Sequence, residues 1–321
     1  MKQALLIRFG GLGDLLVALP SIRLLRGKYP EAHLILACRE EYGALLLGAG
    51  VVDEIVSQDS RLITPLFSGK TEAQQVLSDW LGSFELIMGW NHGRKKHFIS
   101  VPKGSALPAG IHFIHADPWV SGQLSRFFFR KTAEVLGESG VPSIEDWARL
   151  PADRVQRTEI LGRFYSPEGK KPFAVVHPGS GSENKRWPLR NFLQVISRLG
   201  ARGVPGALVT GEAEERLEAE IERSVLPHGW SWIRRPCLSA LASLLSESAI
   251  YLGNDSGVTH LAAAYGTEVV ALFRQDLAFA WKPLGRVHLH IGASLGQIEL
   301  ESVWKTIASR LPNFSADSQI F

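Results

Sequence analysis

Residues 173–188, FAVVHPGSGSENKRWP, decide the fold. An apolar run of strand length, FAVVH, breaks into a turn of glycines and serines and re-enters packed structure at Trp187-Pro188, which reads as the start of a helix. Strand, small-residue turn and helix are the parts of a unit in a parallel sheet. Glycines let a ligand approach the backbone closely, and N–H groups beside them suit phosphate oxygens. Ser180 adds a hydroxyl next to Gly181, and Lys185 adds a mobile point charge, a composition that suits a diphosphate. A polar surface loop with a solvated lysine is the competing reading.

Working outward, the same grammar recurs. In the second half, runs at 207–210 (ALVT), 249–253 (AIYLG) and 269–273 (VVALF) alternate with helix-length segments such as 212–223. In the first half, runs at 4–7 (ALLI), 33–37 (HLILA), 86–89 (LIMG) and 111–114 (IHFI) do likewise. Alternating strands and helices predict an α/β protein with parallel sheets. The 321 residues exceed the roughly 100 to 200 of one domain. A linker is expected near 165–171, where Pro167, Gly169 and Pro172 cluster, giving domains at 1–168 and 169–321. Ligands of such sheets sit beyond the carboxyl ends of strands, so a cleft between the halves is the expected site.

Two further turns carry chemistry. AIYLGNDSGVTHLAAAYG, residues 249–266, again presents a helix N-terminus after a strand. There Gly257 permits close approach, Ser256 and Thr259 offer hydroxyls, and Asp255 is placed to orient the loop or a ribose. His260 reads either as a packed helix residue or as a donor contact. In the first half, Phe9-Gly10-Gly11-Leu12-Gly13-Asp14 follows the first strand. A dinucleotide fingerprint would need a small residue where Leu16 stands. Asp14 reads either as the N-cap of the next helix or as a general base at the cleft. Pro20 should kink or reshape that helix.

Composition narrows the class. With 45% hydrophobic and 21% charged residues the chain reads as an ordinary soluble globular protein. Two cysteines, Cys38 and Cys237, have neither disulfide-framework nor zinc spacing, and a reducing cytoplasm fits them. The N-terminal apolar run is too short for a signal peptide, and no run approaches the roughly 20 residues of a membrane span. A net charge of +3 is compatible with an anionic ligand or membrane surface, and without a recognised motif nucleic acid is disfavoured.

Taken together, FGGLGDLLVALP, HPGSGSENKRWP and GNDSGVTHLAAA resemble the family nine glycosyltransferases, among them the heptosyltransferases of lipopolysaccharide core synthesis. The resemblance implies the GT-B architecture of two facing Rossmann-like domains, acceptor in the N-terminal one and nucleotide sugar in the C-terminal one. It implies Asp14 as general base and Lys185 beside the donor phosphates. Ser180 and Gly181 would form the hydroxyl-rich turn, and Asp255, Ser256, Gly257, Val258, Thr259 and His260 the donor loop. Glu214, after the strand ALVT, stands where the family contacts ribose; acids in a helix's first turn are the bland alternative. Two departures are visible. Arg274-Gln275-Asp276-Leu277 replaces a Gly-Pro-Thr-Asp-Pro type turn and adds a cation, and Gly10-Gly11 replaces small hydroxyl residues in the acceptor-side turn that contains Gly11.

The implied reaction is single-displacement transfer with inversion from a nucleotide sugar, ADP-heptose by resemblance, to an anionic glycolipid. No cofactor is implied. The chain has no Asp-x-Asp sequence, so metal-independent activity is expected. Trp90-Asn91-His92-Gly93-Arg94-Lys95-Lys96-His97 offers His92 and Arg94 as acceptor contacts or a solvated basic loop. Arg126-Phe127-Phe128-Phe129-Arg130-Lys131 offers a peripheral contact with the inner membrane or ordinary core packing. The competing functions are transfer to another glycan or a protein, a catalytically silent nucleotide-sugar binder, and a nicotinamide-dependent oxidoreductase. The helix-like segment 299–311 is expected to cross back onto the N-terminal domain.

Overall fold

A computed structural model of the chain describes residues 1–61, 63, 74–93, 110–140, 143–155, 158–166, 169–170 and 172–311. It divides into two compact units, Met1–Arg154 with Phe279–Lys282, and Val155–Ala278 with Pro283–Phe321.

The N-terminal unit is built on five parallel strands, β1 (Gln3–Ile7), β2 (His33–Cys38), β3 (Glu54–Ser57), β4 (Leu86–His92) and β5 (Gly110–Ala116), in the order β3-β2-β1-β4-β5. Helices α1 (Leu12–Lys28), α2 (Glu40–Gly48), α3 (Gln74–Gly82) and α4 (Leu124–Leu136) connect or follow them, and a short turn, α5, spans Ile144–Trp147. Leu5, Ile7, Ile35, Ala37 and Ile87 join Leu81 and Phe84 in one core cluster, which explains the unbroken apolar strands. Helix α1 continues through the buried Pro20 to Lys28.

The C-terminal unit has, after a 3-10 helix at Glu159–Phe164, a short antiparallel pair of two-residue strands, β6 (Tyr165–Ser166) and β7 (Gly169–Lys170), followed by six parallel strands. These are β8 (Ala174–His177), β9 (Gly206–Thr210), β10 (Trp230–Arg234), β11 (Ile250–Asn254), β12 (Glu268–Arg274) and β13 (Val287–Gly292), in the order β10-β9-β8-β11-β12-β13. Its helices are α6 (Leu189–Ala201), α7 (Glu215–Glu222), α8 (Leu238–Glu247), α9 (Gly257–Ala264), α10 (Gln275–Trp281) and α11 (Leu300–Arg310), of which α10 ends in the segment that groups with the first unit. Trp187, Phe192, Val195, Leu208, Leu252 and Val270 form its core.

The closing helix α11 packs on the C-terminal core, where Val303 and Ile307, one turn apart, are 0% and 1% exposed. Burying two such side chains stabilises by roughly 3–6 kcal/mol. The later segment that groups with the first unit is Phe279–Lys282. The units part after Arg154, ahead of the expected linker, because the following chain packs on the C-terminal unit, with Phe164 stacked on Phe173 at 4.1 Å between centroids. Pro167, Glu168 and Lys171 of that linker lie outside the described residues.

In the two parallel sheets, three strands, β3, β10 and β13, escaped the sequence reading. All are edge strands in the observed orders, so partly exposed charged, serine and histidine positions interrupt their apolar pattern. In both sheets the chain lays its second and third strands to one side of the first, then returns to the other side for the fourth. Loops leaving the first and fourth strands diverge at that reversal and open a crevice at the carboxyl ends. One such switch point lies between β1 and β4, the other between β8 and β11.

Candidate active site

At the N-terminal switch point, the β1 turn carries Asp14 and the end of β4 carries His92. Asp14 is not the N-cap. Gly11 caps α1, and Asp14 sits three residues on, folding back so that Oδ2 accepts from the Gly11 N–H at 2.8 Å. Oδ1 accepts from His92 Nε2 at 2.6 Å and from Arg8 Nη2 at 2.9 Å. Arg8 is 3% exposed and also donates to the Asp14 carbonyl at 2.7 Å and the Trp90 carbonyl at 3.1 Å. Burial works against the charge on Asp14, but the His92 hydrogen bond, the Arg8 charge and the Gly11 N–H outweigh it and hold the carboxyl below its ordinary value. Asp14 and His92 each retain 23% side-chain exposure, so the pair is reachable from solvent. Gly10 has φ +116°, and a Cβ there would stand 2.5 Å from Asp14 Oδ2, so the turn requires glycine at that position.

His92 was expected as an acceptor contact; it lies beside Asp14 because β1 and β4 are hydrogen-bonded neighbours and both end at the same edge. Its ring meets Trp281 edge-on, with centroids 4.7 Å apart, Trp281 belonging to the segment Phe279–Lys282 that groups with this unit. Arg94 and the lysines after it lie outside the described residues. Arg8 was missed. An arginine directly after a strand and six residues before a turn aspartate is the signal that could have found it.

At the C-terminal switch point, the turn after β8 meets the turn after β11. Lys185 Nζ donates to Asp255 Oδ2 at 2.8 Å; Asp255 is 6% exposed, while the lysine side chain retains 31%. Ser180 Oγ donates to the Asp255 carbonyl at 2.8 Å and is thereby committed to tying the two turns together. A Cβ on Gly181 would stand in open space, so the backbone at the crest of the turn is accessible. Ser256 caps α9, its Oγ accepting from the Thr259 N–H at 3.4 Å. Thr259 is fully buried and spends its hydroxyl on the Asn254 carbonyl. Gly257 and Val258 form the partly exposed first turn, and His260 is buried at 6%. Ser256, Gly257 and Val258 are partly exposed, while the Thr259 and Ser180 hydroxyls are committed inward.

Glu214 was expected as a ribose contact. It is 2% exposed beneath the β8 turn, where Oε2 accepts from the Gly211 N–H at 2.7 Å and lies 3.6 Å from His177 Nε2. Burial opposes its charge, but His177, the Gly211 N–H and Arg186 together lower its pKa. A Cβ on Gly179 would come within 2.0 Å of Glu214 Oε1, so the carboxylate supports the turn from below. Sequence reasoning also missed Asn254, fully buried, which accepts from the Trp187 N–H at 3.0 Å and donates to the carbonyls of Pro178 at 2.8 Å and Gly179 at 3.3 Å. Arg186 donates to the Ser180 carbonyl at 3.1 Å and the Ala213 carbonyl at 2.8 Å. The cation introduced at Arg274 is answered locally by both oxygens of Asp276, at 3.0 and 2.6 Å. Among the described residues, no group of three or more His, Cys, Asp and Glu is placed to hold a metal ion.

Chemically, one switch point offers an ionised carboxylate joined to an imidazole. The other offers a lysine paired with Asp255, beside glycine-containing turns and a helix N-terminus, which suits a diphosphate.

The family described as "Glycosyltransferase family 9 (heptosyltransferase)" matches residues 114–303. Lipopolysaccharide heptosyltransferase 3 of Escherichia coli strain K12 is 23% identical over 296 residues, covering 84% of this chain and 82% of that protein. The glycosyl transferase family 9 structure from Veillonella parvula superposes with a TM-score of 0.71 at 16% identity, covering 96% of each chain. E. coli heptosyltransferase WaaC with ADP superposes at 0.68 and 15% identity, covering 96% of this chain and all of that one. These likenesses show the GT-B fold. The two parallel-sheet units, their motif-bearing switch points and the family match over more than half the chain identify a glycosyltransferase: the protein belongs to glycosyltransferase family 9, the heptosyltransferase family.

Proposed function

We propose that the protein transfers a heptose from ADP-heptose to a lipopolysaccharide-type glycolipid, inverting the anomeric carbon. The observation that supports this reading is the charge at the two switch points: a carboxylate–imidazole pair at one suits removal of an acceptor's proton, and a lysine paired with Asp255 beside glycine-serine backbone at the other suits a diphosphate. ADP and heptose enter through the relatives, one an E. coli heptosyltransferase solved with ADP.

In the proposed reaction the acceptor hydroxyl attacks the anomeric carbon as the bond to the nucleoside diphosphate breaks. Positive charge develops on the sugar and negative charge on the leaving phosphate, as in glycoside hydrolysis. Lys185, oriented by Asp255, and the backbone of the 255–260 turn stabilise the leaving group. The acceptor proton passes to the Asp14–His92 pair. A weak base suffices, because the hydroxyl is already acidified by bonding to an electron-poor carbon. The reaction uses no metal, and unchanged transfer in EDTA is the expected result.

The same reading puts the protein at the cytoplasmic face of the inner membrane. Among the described residues no helix is long and apolar enough to cross a membrane. Trp119 and Val120, 65% and 81% exposed just ahead of α4, support peripheral contact better than 126–131, where Phe128 and Phe129 are buried.

The test is titration with ADP, UDP and GDP, followed by transfer from ADP-heptose to an acceptor panel. Selective ADP binding, lost in Lys185→Ala and kept in Asp14→Asn, with transfer abolished in Asp14→Asn, is expected. Binding of another nucleotide overturns the donor. Donor binding without transfer to any acceptor makes the protein a silent binder.

A further inference from the structure

Arg274 and Asp276 stand at the carboxyl edge of the C-terminal sheet and have no part in the transfer step above. β12 runs beside β11 in register, with Leu272 opposite Asn254, and the Asp255 N–H donates to the Leu272 carbonyl at 3.0 Å. Arg274 therefore ends its strand one strand away, about 5 Å, from the strand that leads into the Asp255 turn, and on the same edge of the sheet. Asp276 follows in the first turn of α10. The two side chains keep 27% and 39% exposure, so the pair is open to a ligand on that edge.

Strand order decides which part of a nucleotide sugar reaches the pair. A doubly wound sheet holds a pyrophosphate where its strand order reverses and spreads the two ends of the ligand over the two flanks. Here the reversal lies between β8 and β11, and Lys185 and Asp255 mark it. The nucleoside takes the flank that begins with the phosphate-binding turn, and its ribose lies at the end of the next strand. That flank is β8, β9 and β10, so the group beyond the second phosphate falls over β11 and β12. In a nucleotide sugar that group is the sugar.

The charge of the pair decides which kind of sugar it suits. A lone arginine would favour a sugar that carries a carboxylate or a phosphate. Both oxygens of Asp276 instead answer the guanidinium, Nε at 3.0 Å and Nη2 at 2.6 Å, and cancel its charge. This fork engages only part of the guanidinium's N–H donors and part of the carboxylate's lone pairs, so donors and acceptors stand side by side. A sugar hydroxyl both donates and accepts, and two neighbouring hydroxyls match such a pair. An anionic sugar would meet the Asp276 carboxylate.

We propose that Arg274 and Asp276 form the subsite that reads the hydroxyls of the transferred sugar and restricts the donor to neutral, hydroxyl-rich sugars. This deepens the transferase reading and rests on it. The pair sets which donor is held, and the bonds that form and break are left to the residues already described.

The experiment is calorimetric titration of the full chain with ADP, ADP-heptose, ADP-mannose and ADP-mannuronate, the last two differing only in one oxidised carbon. It is repeated with the double variant Arg274→Ala, Asp276→Ala, which holds net charge constant, and with Asp276→Asn. The wild type is expected to bind ADP-heptose and ADP-mannose more tightly than ADP, and ADP-mannuronate more weakly than ADP-mannose. In the double variant the advantage of ADP-heptose over ADP falls roughly 10- to 100-fold, the loss expected for charge-assisted hydrogen bonds, while ADP affinity stays within about twofold. Asp276→Asn uncovers the guanidinium charge, so the ratio of ADP-mannuronate to ADP-mannose affinity rises by roughly tenfold. An ion pair that only fastens the start of α10 leaves every sugar-to-ADP ratio as in the wild type, and that result overturns the assignment. So does a wild type that prefers ADP-mannuronate to ADP-mannose, and so does a double variant that loses ADP itself. A wild type that binds ADP and ADP-heptose equally overturns the subsite alone and leaves the transferase reading standing. One that binds none of the four overturns the donor and this subsite together.

Discussion

Asn254 has the most stabilising work to do of any residue the sequence reading passed over. It is fully buried at the end of β11, and its amide joins three pieces of the C-terminal switch point: the Trp187 N–H donates to Oδ1, and Nδ2 donates to the carbonyls of Pro178 and Gly179. Replacing it with alanine leaves the Trp187 N–H and the Pro178 carbonyl without partners where water cannot replace them. Each orphaned buried group costs about 1–3 kcal/mol, so the variant should lose roughly 2–6 kcal/mol. At about 2–4 °C per kcal/mol for a domain of this size, a loss near the middle of that range lowers Tm by roughly 8–16 °C. Asn254→Asp keeps an acceptor for Trp187 but sets a carboxylate oxygen against the Pro178 carbonyl, and should be no better at neutral pH. The exposed Asn184, which accepts only from Ser182, is the control, and its alanine variant should stay within about 0.5 kcal/mol of wild type. Urea unfolding followed by tryptophan fluorescence measures both, and ADP titration reports whether the donor turn keeps its shape. An Asn254→Ala loss under about 1 kcal/mol would refute the reasoning, since it would mean the two turns hold together without the amide.

Two other expectations follow from the same geometry. Gly179→Ala drives a Cβ to 2.0 Å from Glu214 Oε1, a group pinned by Gly211 and His177, so the turn must shift; about 1–3 kcal/mol of stability and most ADP affinity should be lost, whereas Gly181→Ala, facing open space, should be near neutral in thermal unfolding. Asp14 and Glu214 both titrate below their ordinary values in the folded protein, so the stability they contribute is present above about pH 4 and lost as pH falls through their folded values. Urea midpoints between pH 7 and 3 should therefore fall less steeply for Glu214→Gln than for wild type, and parallel curves would contradict the sign.

Much of this fold could be read from apolar runs alone. The central strands β1, β2, β4, β8, β9, β11 and β12 are covered on both faces and appear as unbroken hydrophobic segments. The edge strands β3, β10 and β13 were illegible because half-exposure lets residues such as Glu54, Ser231 and His290 interrupt the pattern, whereas the edge strand β5 kept a readable apolar run. The candidate site was legible where chemistry follows a strand directly, as at Asp14, Lys185 and the 255–260 turn. It was illegible where a side chain's role depends on what it meets. Ser180 and Thr259 carry hydroxyls suited to a ligand, yet both donate inward. Glu214 stands in an exposed-looking acidic helix start, and its burial comes from the neighbouring turn closing over it.

The sequence by itself determined that this is an α/β chain of two halves, and its three motifs carried the resemblance to family nine, because turn chemistry and strand-to-helix order are local properties written in consecutive residues. Only the tertiary structure decided that His92 joins Asp14, that Lys185 joins Asp255, and that Arg8 and Asn254 hold those turns in place. The separations in sequence run to 78 residues for His92 and Asp14 and 70 for Lys185 and Asp255. They close because in each sheet the first and fourth strands are hydrogen-bonded neighbours ending at the same edge, and strand order is set by how whole helices and sheets bury apolar surface together.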